Sequence, residues 1–249
     1  MKIKDIKEQA FSMPIYSPSG LKNKAYKFIN REYFVISYET DIELLKAIVP
    51  EPLKVTSNVV KFEFMKMPDA HGFGIFQESG QVIEVEHNGV KGSYSHMMFL
   101  NDVAPIVAGR EIWGFPKKYG TPTINVDVDT LVGKLKYNHA DIAIATMGYK
   151  YDKLNSFALE QSLERTPNFL LKIIPHANGK EAEICQLIQY GLIDVKVHEA
   201  WSGPTSLQLF NHALAPVADL PVRKIIGGSH FIADITLGFG KVIYDYLKD

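Results

Sequence analysis

Hydrophobic and polar residues alternate along Val60-Lys61-Phe62-Glu63-Phe64-Met65-Lys66-Met67, which puts Val60, Phe62 and Phe64 on one face of a strand and Glu63 on the other. Upstream, Tyr33 to Tyr38 is dense in aromatic and β-branched residues and also reads as a strand. Between these two, Thr40-Asp41-Ile42-Glu43 matches a capping box, in which a Thr hydroxyl and a Glu carboxylate satisfy free amides at a helix start. That helix is expected to run to Val49, because Pro50 and Pro52 push the residues before them out of the helical region. Gln81 to Glu86 and Val90 to Leu100 flank Asn88-Gly89, a pair that tolerates the positive φ angles of a tight turn, and predict a hairpin.

The same period continues. Ile124, Val126 and Val128 alternate with Asn125, Asp127 and Asp129, and Leu131 to Tyr137 can pair with Asp141 to Tyr149 across Asn138-His139-Ala140. Phe169 to Ile174, Leu192 to Val197, Thr205 to Phe210, Phe231 to Leu237 and Lys241 to Tyr246 have the same character. No strand-helix-strand alternation is visible, so the expected class is mainly β with minor α, an antiparallel barrel or sandwich. No repeat, linker or low-complexity segment divides residues 1–249, and one domain is expected.

Composition narrows the function classes. With 46% hydrophobic and 11% aromatic residues among 249, there is ample material for a closed core. Lys plus Arg number 27 against 28 Asp plus Glu, so no global field attracts nucleic acid or anionic lipid. Cys185 is the single cysteine, which rules out an intrachain disulfide and every zinc pattern built on paired cysteines, and suggests a cytoplasmic protein. The opening Met1 to Gln9 is too charged for a secretory leader, and no stretch reaches membrane-spanning length.

Most catalytic signatures are missing. The eight histidines are scattered without a His-Glu-x-x-His pair. Gly227-Gly228 and Gly238-Phe239-Gly240 lack the Lys-Ser/Thr tail of a phosphate loop and read as turns. No Gly-x-Ser-x-Gly elbow is present, Cys185 sits in an apolar strand-like run, and Glu84 with Glu86 reads as a solvated strand face. What remains is Gly114-Phe115-Pro116-Lys117-Lys118-Tyr119-Gly120, two adjacent amines framed by aromatics, a proline and glycines. Adjacent loop lysines are ordinarily solvated charges, since burying an unpaired ammonium is costly. A lysine becomes a nucleophile near neutral pH only when apolar burial or a neighbouring cation lowers its pKa by several units. Trp113, Phe115 and Pro116 supply apolar bulk here.

Val107-Ala108-Gly109-Arg110-Glu111 followed by Phe115-Pro116-Lys117-Lys118 resembles the active-lysine signature of the acetoacetate decarboxylase family. The resemblance extends in order from Tyr26-Lys27-Phe28-Ile29-Asn30-Arg31-Glu32-Tyr33-Phe34 through Glu78-Ser79-Gly80-Gln81, Asn88-Gly89-Val90-Lys91-Gly92 and His198-Glu199-Ala200-Trp201 to Val242 to Lys248. That family is itself the standard example of a lysine activated in this way, so the activation comes with the resemblance. It implies Lys117 as the Schiff-base lysine and Lys118 as the neighbour once credited with lowering its pKa, although successive side chains of an extended segment point apart and apolar burial is the expected cause. It further implies Arg31 to hold a carboxylate, Glu78 to orient that arginine, and Glu63 near the imine for proton handling. One local departure is Phe115, where the family often has Tyr, so no phenol is available from that position.

The activity implied is conversion of acetoacetate, a small β-keto acid, to acetone and carbon dioxide. No metal, nicotinamide or pyridoxal is required, because the lysine serves as the electron sink. The resemblance also implies an antiparallel β-barrel-like fold and a large homo-oligomer. Two other readings stay open: a Schiff-base aldolase or dehydratase acting on another keto acid, and a barrel that binds a small acid without turning it over.

Overall fold

The structure is a computed structural model, and residues 1–248 are described. A short helix α1 (Ile3–Gln9) precedes β1 (Tyr26–Glu39), α2 (Ile42–Ile48), β2 (Lys54–Ala70), β3 (Gly74–His87) and β4 (Val90–Leu100). Then follow α3 (Val103–Ala108), a π-helical turn over Gly109–Trp113, β5 (Lys117–Tyr119), β6 (Thr121–Asp127), β7 (Thr130–Tyr137), β8 (Ala140–Gly148) and β9 (Asp152–Lys153). Helix α4 (Ser156–Arg165) leads into β10 (Asn168–Pro175), β11 (Ala182–Tyr190), β12 (Leu192–Gly203), β13 (Thr205–Leu209), β14 (Lys224–Leu237) and β15 (Lys241–Asp245).

Ten strands form one path, β15-β11-β10-β4-β3-β2-β1-β14-β12-β9, with β5 added beside β4, and β13-β8-β7-β6 form a second sheet. The mainly β class expected from the periodicity is what the chain adopts, but the larger sheet does not close on itself: β15 and β9 remain as its edges. Nearly every ladder is antiparallel; the exceptions are the short contacts of β4 with β5 and with β10.

Alternation in β1 and β2 builds two cores on opposite faces of the large sheet. Phe34, Ile36, Phe62 and Phe64 point toward the smaller sheet and pack with Ile124, Leu131, Leu135, Ala145 and Met147. Tyr33, Met65 and Met67 point the other way, into a second cluster with Phe28, Phe76, Met98, Trp113, Phe115 and Tyr190. A charged residue on that second face, such as Glu63, is therefore placed among apolar neighbours by strand geometry.

The Asn88-Gly89 hairpin forms, with φ of 51° and 81°, both in the left-handed region that Asn and Gly tolerate. The capping box at Thr40 does not. Asp41 is the N-cap of α2 and makes no side-chain cap bond, because its carboxylate is taken by three hydrogen bonds from Arg223. Gly227 and Gly228 also depart from expectation: they lie within β14 rather than in a turn, and a Cβ on Gly228 would collide with the Thr205 hydroxyl of the facing strand.

Candidate active site

The segment that carries Lys117 doubles back on the sheet. After β4, the Asp102 carboxylate accepts a 2.8 Å hydrogen bond from the Ala104 amide and starts α3, whose Pro105 falls in the first turn where its missing amide hydrogen is harmless. One extra residue per turn over Gly109–Trp113 widens the helix, and Gly114 ends it at φ 86°. A side chain on Gly114 would overlap Lys172 as well as strain the backbone. The chain then runs back parallel to β4, with Met98 opposite Lys117 and Phe99 opposite Lys118. Arg110 donates a 3.1 Å hydrogen bond to the Lys117 carbonyl and pins this return.

Lys117 is only 8% exposed. Its Nζ lies 3.5 Å from Glu78 Oε2 and 3.4 Å from the Pro105 carbonyl, and 4.7 Å from the centre of the Phe115 ring. Burial lowers its pKa; the charge of Arg31 pushes the same way, and Glu78 opposes both. Arg31 Nη2 donates to Glu78 Oε1 at 2.7 Å and to Met65 Sδ at 2.7 Å, while its guanidinium carbon lies 4.6 Å from the Tyr33 ring centre and 5.2 Å from that of Phe28. Glu78, at 4% exposure, is thus shared by the Arg31 guanidinium and the Lys117 amine. Glu63 is half-buried in the same wall, and burial raises its pKa against the pull of Lys61 and Arg31.

These four side chains line a cavity of about 270 Å³. Its remaining walls are largely apolar and aromatic, including Phe28, Tyr33, Phe73, Phe76, Trp113, Phe115 and Tyr190, with Leu159 and Leu163 of α4 on another side. Lys118 is not among them. Successive residues of β5 point to opposite sides, so the Lys118 ammonium instead donates to the Leu214 carbonyl and sits 4.9 Å from the Tyr137 ring centre. Four of the five residues singled out in the sequence meet in one cavity; the fifth faces the smaller sheet. Among the described residues, no three His, Cys, Asp or Glu side chains are grouped to hold a metal.

The family model for acetoacetate decarboxylase matches residues 12–247. This chain belongs to the acetoacetate decarboxylase family. A relative from Bordetella avium (strain 197N), named acetoacetate decarboxylase, is 53% identical over 247 residues, covering 99% of each chain. A solved acetoacetate decarboxylase structure superposes with a TM-score of 0.94 at 50% identity, covering 99% of this chain and 100% of the other. The acetoacetate decarboxylase from Legionella pneumophila gives 0.89 at 49% identity, over 97% and 96% of the two chains.

Two further residues that line this cavity were not singled out for a role in the sequence, Tyr190 and Gly109. Tyr190 was hidden because nothing in Leu187-Ile188-Gln189-Tyr190 marks which strand face meets the cavity. Gly109 was part of the family signature but had no stated role. A Cβ there would lie 2.9 Å from Lys117 Cδ and 3.0 Å from Nζ, so only glycine leaves room for the lysine tail. Because that tail is flexible, Gly109→Ala is expected to displace the amine at little cost in stability. Turnover should fall by about a hundredfold, the scale of an ångström's misplacement of a reacting group, with Tm little changed in a thermal melt.

Proposed function

We propose that this protein decarboxylates acetoacetate to acetone and carbon dioxide through a Schiff base on Lys117. The observation that carries the reading is a single one: the Lys117 amine is buried at a cavity wall where apolar surroundings and Arg31 favour its uncharged form. Neutral Nζ attacks the ketone carbon, the oxygen leaves as water, and the resulting iminium accepts the electron pair released as the C–C bond to carbon dioxide breaks. Protonation of the enamine carbon and hydrolysis then return acetone and free amine. Glu63, whose carboxyl holds its proton to higher pH than an ordinary one, fits the proton donor in these steps. Arg31 and Glu78 hold one another and set the charge around the amine.

In this reading the chain works as one domain, in the cytoplasm, as a homo-oligomer. Supporting the last point, Met1, Ile3, Met13, Tyr16 and Phe157 are all exposed large apolar side chains. No helix among the described residues is long and apolar enough to cross a membrane.

The test is to incubate the protein with acetoacetate and borohydride while measuring evolved carbon dioxide. A reduced adduct mapped by mass spectrometry to the peptide carrying Lys117, together with gas, is the expected result. Adduct without gas would move the protein to aldol or dehydration chemistry on another keto acid; neither signal would leave a binding protein.

A further inference from the structure

Tyr190 ends β11, with its backbone paired to Asn168 of β10, and is 9% exposed. Its ring meets Phe115 edge-on with 5.3 Å between centres, and the Lys117 amine lies 4.7 Å from the centre of that same Phe115 ring. The phenol faces the cavity and, among the described residues, makes no hydrogen bond. Among the other deep phenols, Tyr26 accepts from the Leu21 amide and Tyr38 donates to the Leu220 carbonyl, whereas Tyr33, which lines the same cavity, makes no hydrogen bond among the described residues; its ring stacks on Phe231 and lies 4.6 Å from the Arg31 guanidinium carbon. The Tyr190 hydroxyl is not among the fully buried polar atoms that lack a partner, so it opens onto the cavity, where a ligand oxygen can accept from it.

We propose that Tyr190 is a further catalytic residue, donating a hydrogen bond to the ketone oxygen of the substrate and to the carbinolamine hydroxyl that replaces it. This deepens the Schiff-base reading above and rests on it. When Nζ bonds to the ketone carbon, the C=O π pair moves to oxygen, which takes a proton from the attacking nitrogen. The C–OH bond then breaks as Glu63 gives its proton to that oxygen, and water leaves the iminium. A neutral donor at this oxygen stabilises the charge that develops there without gripping the carboxylate, which must depart as carbon dioxide. Tyr190 is suited to donate rather than ionise, since burial, reinforced by Glu63, pushes its pKa far up.

The test separates addition from decarboxylation. Pentane-2,4-dione cannot lose carbon dioxide, but it condenses with a lysine amine to a conjugated enaminone that absorbs in the near ultraviolet. Tyr190→Phe removes only the hydroxyl and keeps the ring against Phe115. Expected is enaminone formation slowed by about a hundredfold, the scale of one donor at a developing oxyanion, with the acid limb of its pH profile unmoved. Formation at the wild-type rate would overturn the proposal. So would a slowed rate whose acid limb has shifted, because the hydroxyl would then be acting through the ionisation of Lys117. Failure of the wild-type protein itself to form the adduct would instead remove the Schiff-base reading.

Discussion

Lys117→Met is expected to lose turnover of acetoacetate by about four orders of magnitude or more, the scale of removing a covalent nucleophile, while the protein stays folded. Methionine fills much of the same volume between Phe115 and Pro105. Stability should hold or rise, for a reason that can be signed. The Lys117 pKa is lower in the folded state than the ordinary 10.5, so between those two values the unfolded chain binds more protons and stability climbs with pH. Below the folded pKa, the full cost of a buried ammonium is present. The methionine variant escapes that cost, so its gain should be largest below the folded pKa, decline as the pH rises from there, and vanish above the ordinary lysine pKa. Steady-state rates and urea melts at several pH values would check both halves. A variant that turns over normally would remove Lys117 from the chemistry, and one that unfolds would make it a structural residue.

Glu78→Gln is expected to produce the largest loss of stability at the site. Arg31 is always charged, 9% exposed, and Glu78 is the carboxylate it hydrogen-bonds. Breaking a buried pair by neutralising one partner leaves the other charge uncompensated, at about 3–5 kcal/mol. For a chain of this length that corresponds to a fall in Tm of roughly 10 °C. Glu63 does not make good the loss, because burial holds its carboxyl toward the neutral form. The same change has a second signature of opposite sense. Glu78 raises the pKa of Lys117, so its removal lets burial and Arg31 lower that pKa further, and the acid limb of the rate profile should move to lower pH. A thermal melt and a pH profile on one preparation test both. An unchanged Tm would mean that the Arg31–Glu78 contact contributes no net stability.

Much of the fold was legible because the period of two is strict where both sheet faces are buried. Val60, Phe62 and Phe64 enter one core while Glu63 faces the cavity on the other side, as the chain alone indicated, and Lys61 and Met65 line that cavity with it. Asn88-Gly89 fixed a hairpin through backbone sterics that need no tertiary context. Helix α4 was not legible: Asn155 caps it, accepting from the Ala158 amide, but none of its residues is buried, so it carries no clean apolar stripe. Nor was the failure of the Thr40 box, because Arg223 reaches Asp41 from 182 residues away. Sheet closure also lay beyond pattern reading, since alternation specifies which face is buried and not whether the end strands meet.

At the site, the family signature pointed to Lys117, Arg31, Glu63 and Glu78, but spacing alone could not have gathered them. They come from β5, β1, β2 and β3, whose registers put Tyr33 opposite Met65 and Met65 opposite Glu78. Lys118 shows the converse. The resemblance named it as a neighbouring cation, but alternation along an extended segment already pointed its side chain away from Lys117; it lies on the other side of β5, and Arg31 is the cation whose charge acts on the amine.

The proposed chemistry depends on the ionisation of one amine, and that can be titrated directly. Trace amine-labelling reagent is added to the folded protein across a pH series, and the label on each lysine peptide is counted by mass spectrometry, with the exposed lysines of the same chain as internal reference. Labelling of Lys117 should rise to half its plateau well below the midpoint of those surface lysines. A midpoint for Lys117 that coincides with theirs would contradict the account.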